Sequence, residues 1–211
     1  MKSPIDLIFR IILGISFLIL LGIRLTIQSK VLKEERVITE NKLSLVSGSI
    51  AALTSLIFGA EYLFFPGTFR FSYMLEYPLW LRWLGVVILI IGLIIFFLAH
   101  YHLGRNFYSL VAVKEEQKLV TSGPYRWIRH PIYTGYILTY LAGGLVASKQ
   151  VLTFVPVIFF SLMIINRIPR EEAVMREEFG QDYLDLEACT GRLLPELGKL
   201  GSNIPLNEEE G

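Results

Sequence analysis

Two short polar stretches carry most of the residues able to do chemistry. The first, LVTSGPYRWIRHPIYTGY (Leu119 to Tyr136), crowds Arg126, Arg129 and His130 together with Tyr125, Tyr133 and Tyr136. The second, NRIPREE (Asn166 to Glu172), sets Arg167 four residues before Glu171. That spacing puts both on one helical face if the helix survives Pro169. An arginine fork suits a carboxylate, and a glutamate suits an ammonium or a ribose hydroxyl. Gly123-Pro124 breaks a helix and marks a turn, whereas Pro131, just after Arg129-His130, can start one. Free backbone N–H groups at such a start favour anions. Each stretch taken alone also fits a plainer account: a headgroup-level ion pair, and a basic anchor with interfacial tyrosines. Two such clusters on one side of a membrane point instead to a shared site.

The elements that position them are apolar. The chain has 211 residues, 53% of them hydrophobic, and a mean hydropathy of +0.53. These residues fall in blocks of membrane-spanning length, which requires about 20 residues for a helix. The spacing predicts spans over Ile5–Ile27, Leu43–Phe65 and Leu79–Leu103. Two shorter runs, Pro131–Ala147 and Val151–Ile165, are separated only by Ser148, Lys149 and Gln150 and read as a tight helical hairpin. The first run follows Lys2 and Arg10 without a small-x-small cleavage site and reads as a retained span. Most Lys and Arg residues lie in the first connector, the third connector and the tail. The positive-inside rule then places both polar clusters and the C-terminus in the cytoplasm, with the N-terminus on the opposite side. Met175, Phe179, Tyr183 and Leu186 make a helical stripe for a tail helix, bent or broken at Gly180. A loose tail follows from Pro195.

Several functions are excluded or disfavoured. A formal net charge of +1 gives no case for nucleic acid. The single cysteine, Cys189, forms no intrachain disulfide. No G-x-G-x-x-G, P-loop or G-x-S-x-G motif is present. His100 and His102 are two apart and point to different helix faces, so no metal site is expected; they are placed beside the site at the end of the third span. Glu61, inside the second span, is expected to snorkel to the outer surface.

At these residues the chain resembles the isoprenylcysteine carboxyl methyltransferase family, within a wider group that includes membrane phospholipid N-methyltransferases. The matching segments are Gly104-Arg105-Asn106-Phe107, Lys118 to Tyr136, Arg167 to Glu172, Phe179-Gly180 with Tyr183, and Arg192 followed by Pro195. The resemblance covers roughly residues 80–195. It implies an all-helical integral membrane protein of about five transmembrane helices with a C-terminal hairpin and a cytoplasmic tail helix. It also implies an S-adenosylmethionine-dependent enzyme. Family cofactor positions fall on Gln117, Lys118, Leu119, Val120, Tyr125, His130, Pro131, Ile132, Tyr133 and Glu171, and the substrate-carboxylate arginine falls on Arg167. Gln117 departs from the histidine common in relatives, and the connector Val111–Gln117 is variable ground.

The expected organisation is a two-span segment over 1–78, a methyltransferase core over 79–195 and a flexible tail over 196–211. The expected partners are membrane lipid and a lipophilic small-molecule or lipidated-peptide substrate, with no protein partner. Amine methylation of a phospholipid and a nicotinamide-dependent reductase of the steroid-reductase type are the alternatives. A non-catalytic membrane protein with headgroup anchors is the remaining one.

Overall fold

The structure of the protein, a computed structural model, describes residues 4–31, 42–69, 71, 75–103, 119–196 and 198. Five helices account for nearly all of it: α1 (Pro4–Val31), α2 (Lys42–Phe64), α3 (Leu79–Leu103), α4 (Pro131–Ala147) and α5 (Gln150–Cys189). A short 3-10 turn, Gly123–Arg126, precedes α4. The α1, α2, α3 and α5 helices are long and apolar enough to cross a membrane, while α4 has 17 residues. Helices satisfy their own backbone groups, which lipid cannot do for them. Leu18, Leu56, Ile94 and Ile165 point outward, as lipid-facing side chains do.

The bundle is held by close approach as much as by apolar area. Lipid tails are as apolar as leucine, so membrane helices associate through packing and polar contacts. The α3 and α4 helices meet at Gly92 and Gly135, where an added Cβ would come within 3.0 Å of Leu138 and Phe96 respectively. On the other side α2 lies against α5, with Ala51 packed on Phe160, Ile164 and Ile168. The α4–α5 hairpin closes where the Gly144 backbone abuts Thr153; a Cβ there would lie 2.2 Å from the Thr153 Cα. Ser148 takes a left-handed conformation at the turn, and Lys149 N–H donates back to the Gly144 carbonyl at 3.0 Å.

The expected tail helix follows the fifth span with no loop between them: Gln150–Cys189 is helical throughout except for a kink at Gly180. Pro156 and Pro169 lie inside it, so each removes one backbone donor without ending the helix. The break comes at Gly180, at φ +51, a conformation glycine adopts without a side-chain clash. Tyr183 and Leu186 of the expected stripe are buried against the body of the protein, while Met175 and Phe179 are half-buried. The tail beyond residue 198 lies outside the described residues.

The end of the bundle away from the two polar stretches holds two buried ion pairs. Glu61 does not snorkel: it is 3% exposed, pairs with Lys149, and accepts the backbone N–H of Gly67 at 2.8 Å. Lys149 arrives from the hairpin turn and is itself fully buried. The misreading came from distance along α2 alone, because the partner lies on a remote segment. Arg82 donates to Asp6 at 2.8 Å, to the Tyr62 hydroxyl at 3.0 Å and to the Val146 carbonyl at 2.9 Å, and lies over the Phe9 ring. One guanidinium thus joins α1, α2, α3 and α4.

Breaking a buried pair strands a charge, whereas replacing both partners with apolar groups does not. Lys149→Met should therefore lower stability by about 3–5 kcal/mol, and the Glu61→Leu/Lys149→Met double variant should recover most of that loss. Thermal unfolding of detergent-purified protein checks this. A Lys149→Met protein as stable as the parent would show that the pair holds nothing together.

Candidate active site

The two polar stretches meet at one end of the bundle. Pro131 opens α4 directly after His130, whose carbonyl accepts the Tyr133 N–H at 3.1 Å. On α5 the helix runs through Pro169, so Arg167 and Glu171 do share a face: Arg167 Nε donates to Glu171 Oε1 at 2.7 Å. The Tyr133 hydroxyl donates to the same oxygen at 2.6 Å. His130 Nδ1 stands 3.6 Å from Glu171 Oε2, and its ring stacks on Tyr133. The predicted cluster of Arg167, Glu171, His130 and Tyr133 is therefore one constellation across α4 and α5.

Tyr125 comes from the 3-10 turn and is buried. Burial, and then the nearby Glu171 carboxylate, push its phenol well above the usual value, so it keeps its proton and can donate. The turn is fixed by Gly123, at φ +61, where a Cβ would fall 2.3 Å from the His102 ring. His102 Nδ1 lies 3.0 Å from the Ser122 hydroxyl. This contact gives His102 its place beside the site. His100, two residues earlier, is buried against the Phe96 carbonyl and ring. No metal-ligand cluster occurs among the described residues. Leu119 and Val120 are half-buried before the turn, Pro131 is buried, and Ile132 is half-buried at the start of α4. Gln117 and Lys118 lie outside the described residues.

Sequence reasoning missed the centre of the cluster. Glu172 is fully buried. It accepts Arg129 Nε at 3.2 Å and Arg192 from two nitrogens, at 3.1 and 2.6 Å. His130 Nε2 faces it at 3.5 Å, the limit of a hydrogen bond, and is otherwise unpartnered among the described residues. The segment after α5 is stitched to the residues before α4. Arg129 N–H donates to the Gly191 carbonyl at 2.8 Å, His130 N–H to Arg192 at 3.0 Å, and Gly191 N–H to Trp127 at 3.1 Å. These form the parallel bridge of Ile128 with Gly191. The only signal in the sequence was an acidic residue beside Glu171 with arginines elsewhere.

From Tyr133 an aromatic path leads into the bundle. Phe160 contacts the rings of Tyr133, Tyr136 and Tyr140, and Phe96 packs on Tyr136. Arg24 reaches over from α1 and donates to the Tyr136 hydroxyl at 2.6 Å. A polar constellation thus opens onto an apolar, aromatic interior, an arrangement suited to a molecule with a charged head and a lipophilic tail.

Several known proteins resemble this chain. A model of the isoprenylcysteine carboxyl methyltransferase (ICMT) family matches residues 83–177, which contain both polar stretches but not the segment after α5. Protein-S-isoprenylcysteine O-methyltransferase A of Arabidopsis thaliana is 30% identical over 140 residues, covering 65% of this chain and 68% of the relative. The Saccharomyces cerevisiae protein-S-isoprenylcysteine O-methyltransferase is 30% identical over 172 residues, covering 79% of this chain and 69% of that one. With a probable protein-S-isoprenylcysteine O-methyltransferase of Oryza sativa subsp. indica the match is shorter: 31% identity over 103 residues, covering 48% of this chain and 54% of the relative. A solved structure of the eukaryotic intramembrane Ras methyltransferase ICMT superposes with a TM-score of 0.52 at 23% identity. That alignment covers 72% of this chain and 50% of the solved one, and it establishes the likeness of fold. The chain is a multi-pass integral membrane protein, and at 30% identity across more than two thirds of two relatives it belongs to the isoprenylcysteine carboxyl methyltransferase family.

Proposed function

We propose that this chain is an S-adenosylmethionine-dependent methyltransferase that O-methylates the carboxylate of a prenylcysteine or another lipophilic substrate at the cytoplasmic membrane face. Residues 79–195 are the catalytic core in this reading, and 1–78 and 196–211 flank it. The observation that carries it is the convergence of Arg167, Glu171, Tyr133, Tyr125 and His130 at the mouth of an aromatic path. The concentration of basic residues in the connectors and tail at that end supports the cytoplasmic orientation.

The donor set fits the cofactor. Glu171 offers a carboxylate ringed by two phenols and an imidazole, and His130 holds a buried nitrogen without a full hydrogen bond. A ligand carrying hydroxyl and ammonium groups would complete such a set. Glu171, Tyr125, His130, Pro131, Ile132 and Tyr133 would hold it, together with the segment Gln117 to Val120. When bound, S-adenosylmethionine supplies a methyl group on a sulfonium, open to attack by a nucleophile.

The chain's own part is binding and exclusion. Arg167 takes the substrate carboxylate, with its guanidinium plane fixed by the Nε bond to Glu171. A carboxylate is already ionised at neutral pH, so no general base is needed. Alignment of the two reactants can supply several kcal/mol, and the buried tyrosines keep water from the nucleophile. The aromatic path from Tyr133 to Tyr140 takes the lipid tail.

Three outcomes follow. Calorimetry should detect S-adenosylhomocysteine binding to the detergent-purified protein, weakened about tenfold or more in Glu171→Ala, because a hydrogen bond to a charged group is lost. Tyr125→Ala should weaken it in the same direction. Absence of binding by the folded parent would sink the methyltransferase reading. With a farnesylcysteine analogue as acceptor, Arg167→Met should lower kcat/KM by about tenfold or more while donor affinity changes little. An unchanged kcat/KM would take the carboxylate from Arg167. The rate at saturating donor should be flat from about pH 6 to about pH 8, because an α-carboxyl ionises near about 3.5. A rate climbing with pH would point to an amine acceptor.

A further inference from the structure

We propose that Glu172 is a positioning residue that fixes the strap Thr190–Leu193 against His130, so that the chain after α5 sets how tightly the methyl donor is held. This rests on the methyltransferase reading above.

Adjacent helical residues point about 100° apart. Glu172 therefore points about a quarter-turn from Glu171: it meets Arg129 and Arg192, while Glu171 meets Arg167 and Tyr133. Its contacts are internal. Arg129 reaches it from before α4, and Arg192 reaches it from after α5. The far end of the Arg129 guanidinium donates to the carbonyls of Glu187 and Thr190 and to the Thr190 hydroxyl, closing the end of α5. The Thr134 hydroxyl donates to the Leu193 carbonyl at 2.6 Å, which ties the strap to the first turn of α4. Gly191 folds so closely that a Cβ would sit 1.9 Å from the Leu194 carbonyl oxygen.

His130 is where these ties converge. Its backbone N–H donates to Arg192 O at 3.0 Å, its Nε2 faces Glu172, and its Nδ1 faces Glu171. Strap and carboxylate together thus hold the imidazole at the donor side of the site. Without the Glu172 charge, Arg129 and Arg192 lose the anion that brings them together, and the strap loses its ion-pair clamp. Toward the acceptor side, Leu193 of the strap packs against the cluster of Phe160, Ile164 and Ile168.

The test pairs calorimetry of S-adenosylhomocysteine with steady-state kinetics on the detergent-purified full chain. Glu172→Gln keeps the volume and removes the charge; it should weaken donor binding about tenfold. Acceptor KM at saturating donor should change by less than about threefold. Arg192→Met removes a partner whose side chain is 54% exposed and leaves Arg129 on Glu172. It should weaken donor binding by about threefold, with Arg192→Lys intermediate. If Glu172→Gln does not fold, Arg192→Met decides. Parental donor affinity in a folded Arg192→Met, or equal damage to donor and acceptor constants, overturns the proposal. No binding by the parent overturns the methyl-donor reading, and this proposal with it.

Discussion

A carboxylate taken wholly out of water must be met by cations and hydrogen bonds, or it destabilises the fold. Glu172 is fully buried, and Arg129 and Arg192 are the cations that meet it, with Arg176 at 3.7 Å. Those arginines come from the segment before α4 and the segment after α5. One buried charge therefore decides how three parts of the chain lie against one another. The neighbouring constellation inherits its geometry from this. Glu171 is the next residue along the same helix, and His130 is the next residue after Arg129. Where Glu172 and Arg129 are locked, Glu171 and His130 have little room to move.

The opposite end of the bundle follows the same logic for a different purpose. Arg82 and the Lys149–Glu61 pair join helices whose apolar surfaces gain little from meeting in lipid. Gly92, Gly135 and Gly144 then let α3, α4 and α5 approach closely enough for dispersion and backbone contact to act. The short α4 is thus gripped on both faces, by α3 through small residues and by α5 through the hairpin. It is a firm base for the residues at its N-terminus. The long α5 carries Arg167 and Glu171 beyond its apolar half on the same continuous rod. Both halves of the site stand on elements that bend only at Gly180, past the chemistry.

What could be read from the sequence was what local spacing determines. The helix bounds Leu79–Leu103 and Pro131–Ala147 followed from apolar runs, and Pro131 marked a helix start. The four-residue interval of Arg167 and Glu171 gave a shared face, and the Gly123-Pro124 turn gave the place of Tyr125. What could not be read was tertiary. Glu172 meets Arg192 and Arg129 only because the strap folds back, and no periodicity encodes that return. Glu61 was misplaced for the same reason: its partner Lys149 lies on the hairpin turn. Whether the helix survives Pro169 was likewise left open by the sequence; the structure carries it through to the kink at Gly180.

The Arg167–Glu171 contact has a consequence for the proposed reaction. Both side chains are largely buried, and in the absence of ligands each neutralises the other. Neither has to stand as a bare charge in a poorly solvated site. When the proposed substrates enter, the arginine gains a carboxylate and the glutamate gains a ligand carrying an ammonium group. One ion pair then becomes a chain of alternating charges, with the Nε–Oε1 bond at its centre. The cost of bringing a charged headgroup out of water is offset by groups already aligned to receive it, since Tyr133 fixes the glutamate oxygen and Glu171 fixes the guanidinium. A carboxylate acceptor suits this alternation, because its negative charge falls opposite the arginine. An amine acceptor must first shed its proton, and once neutral it offers the arginine no charge to hold. With Arg167 in its proposed role, the order of charges along the site suits a carboxylate acceptor.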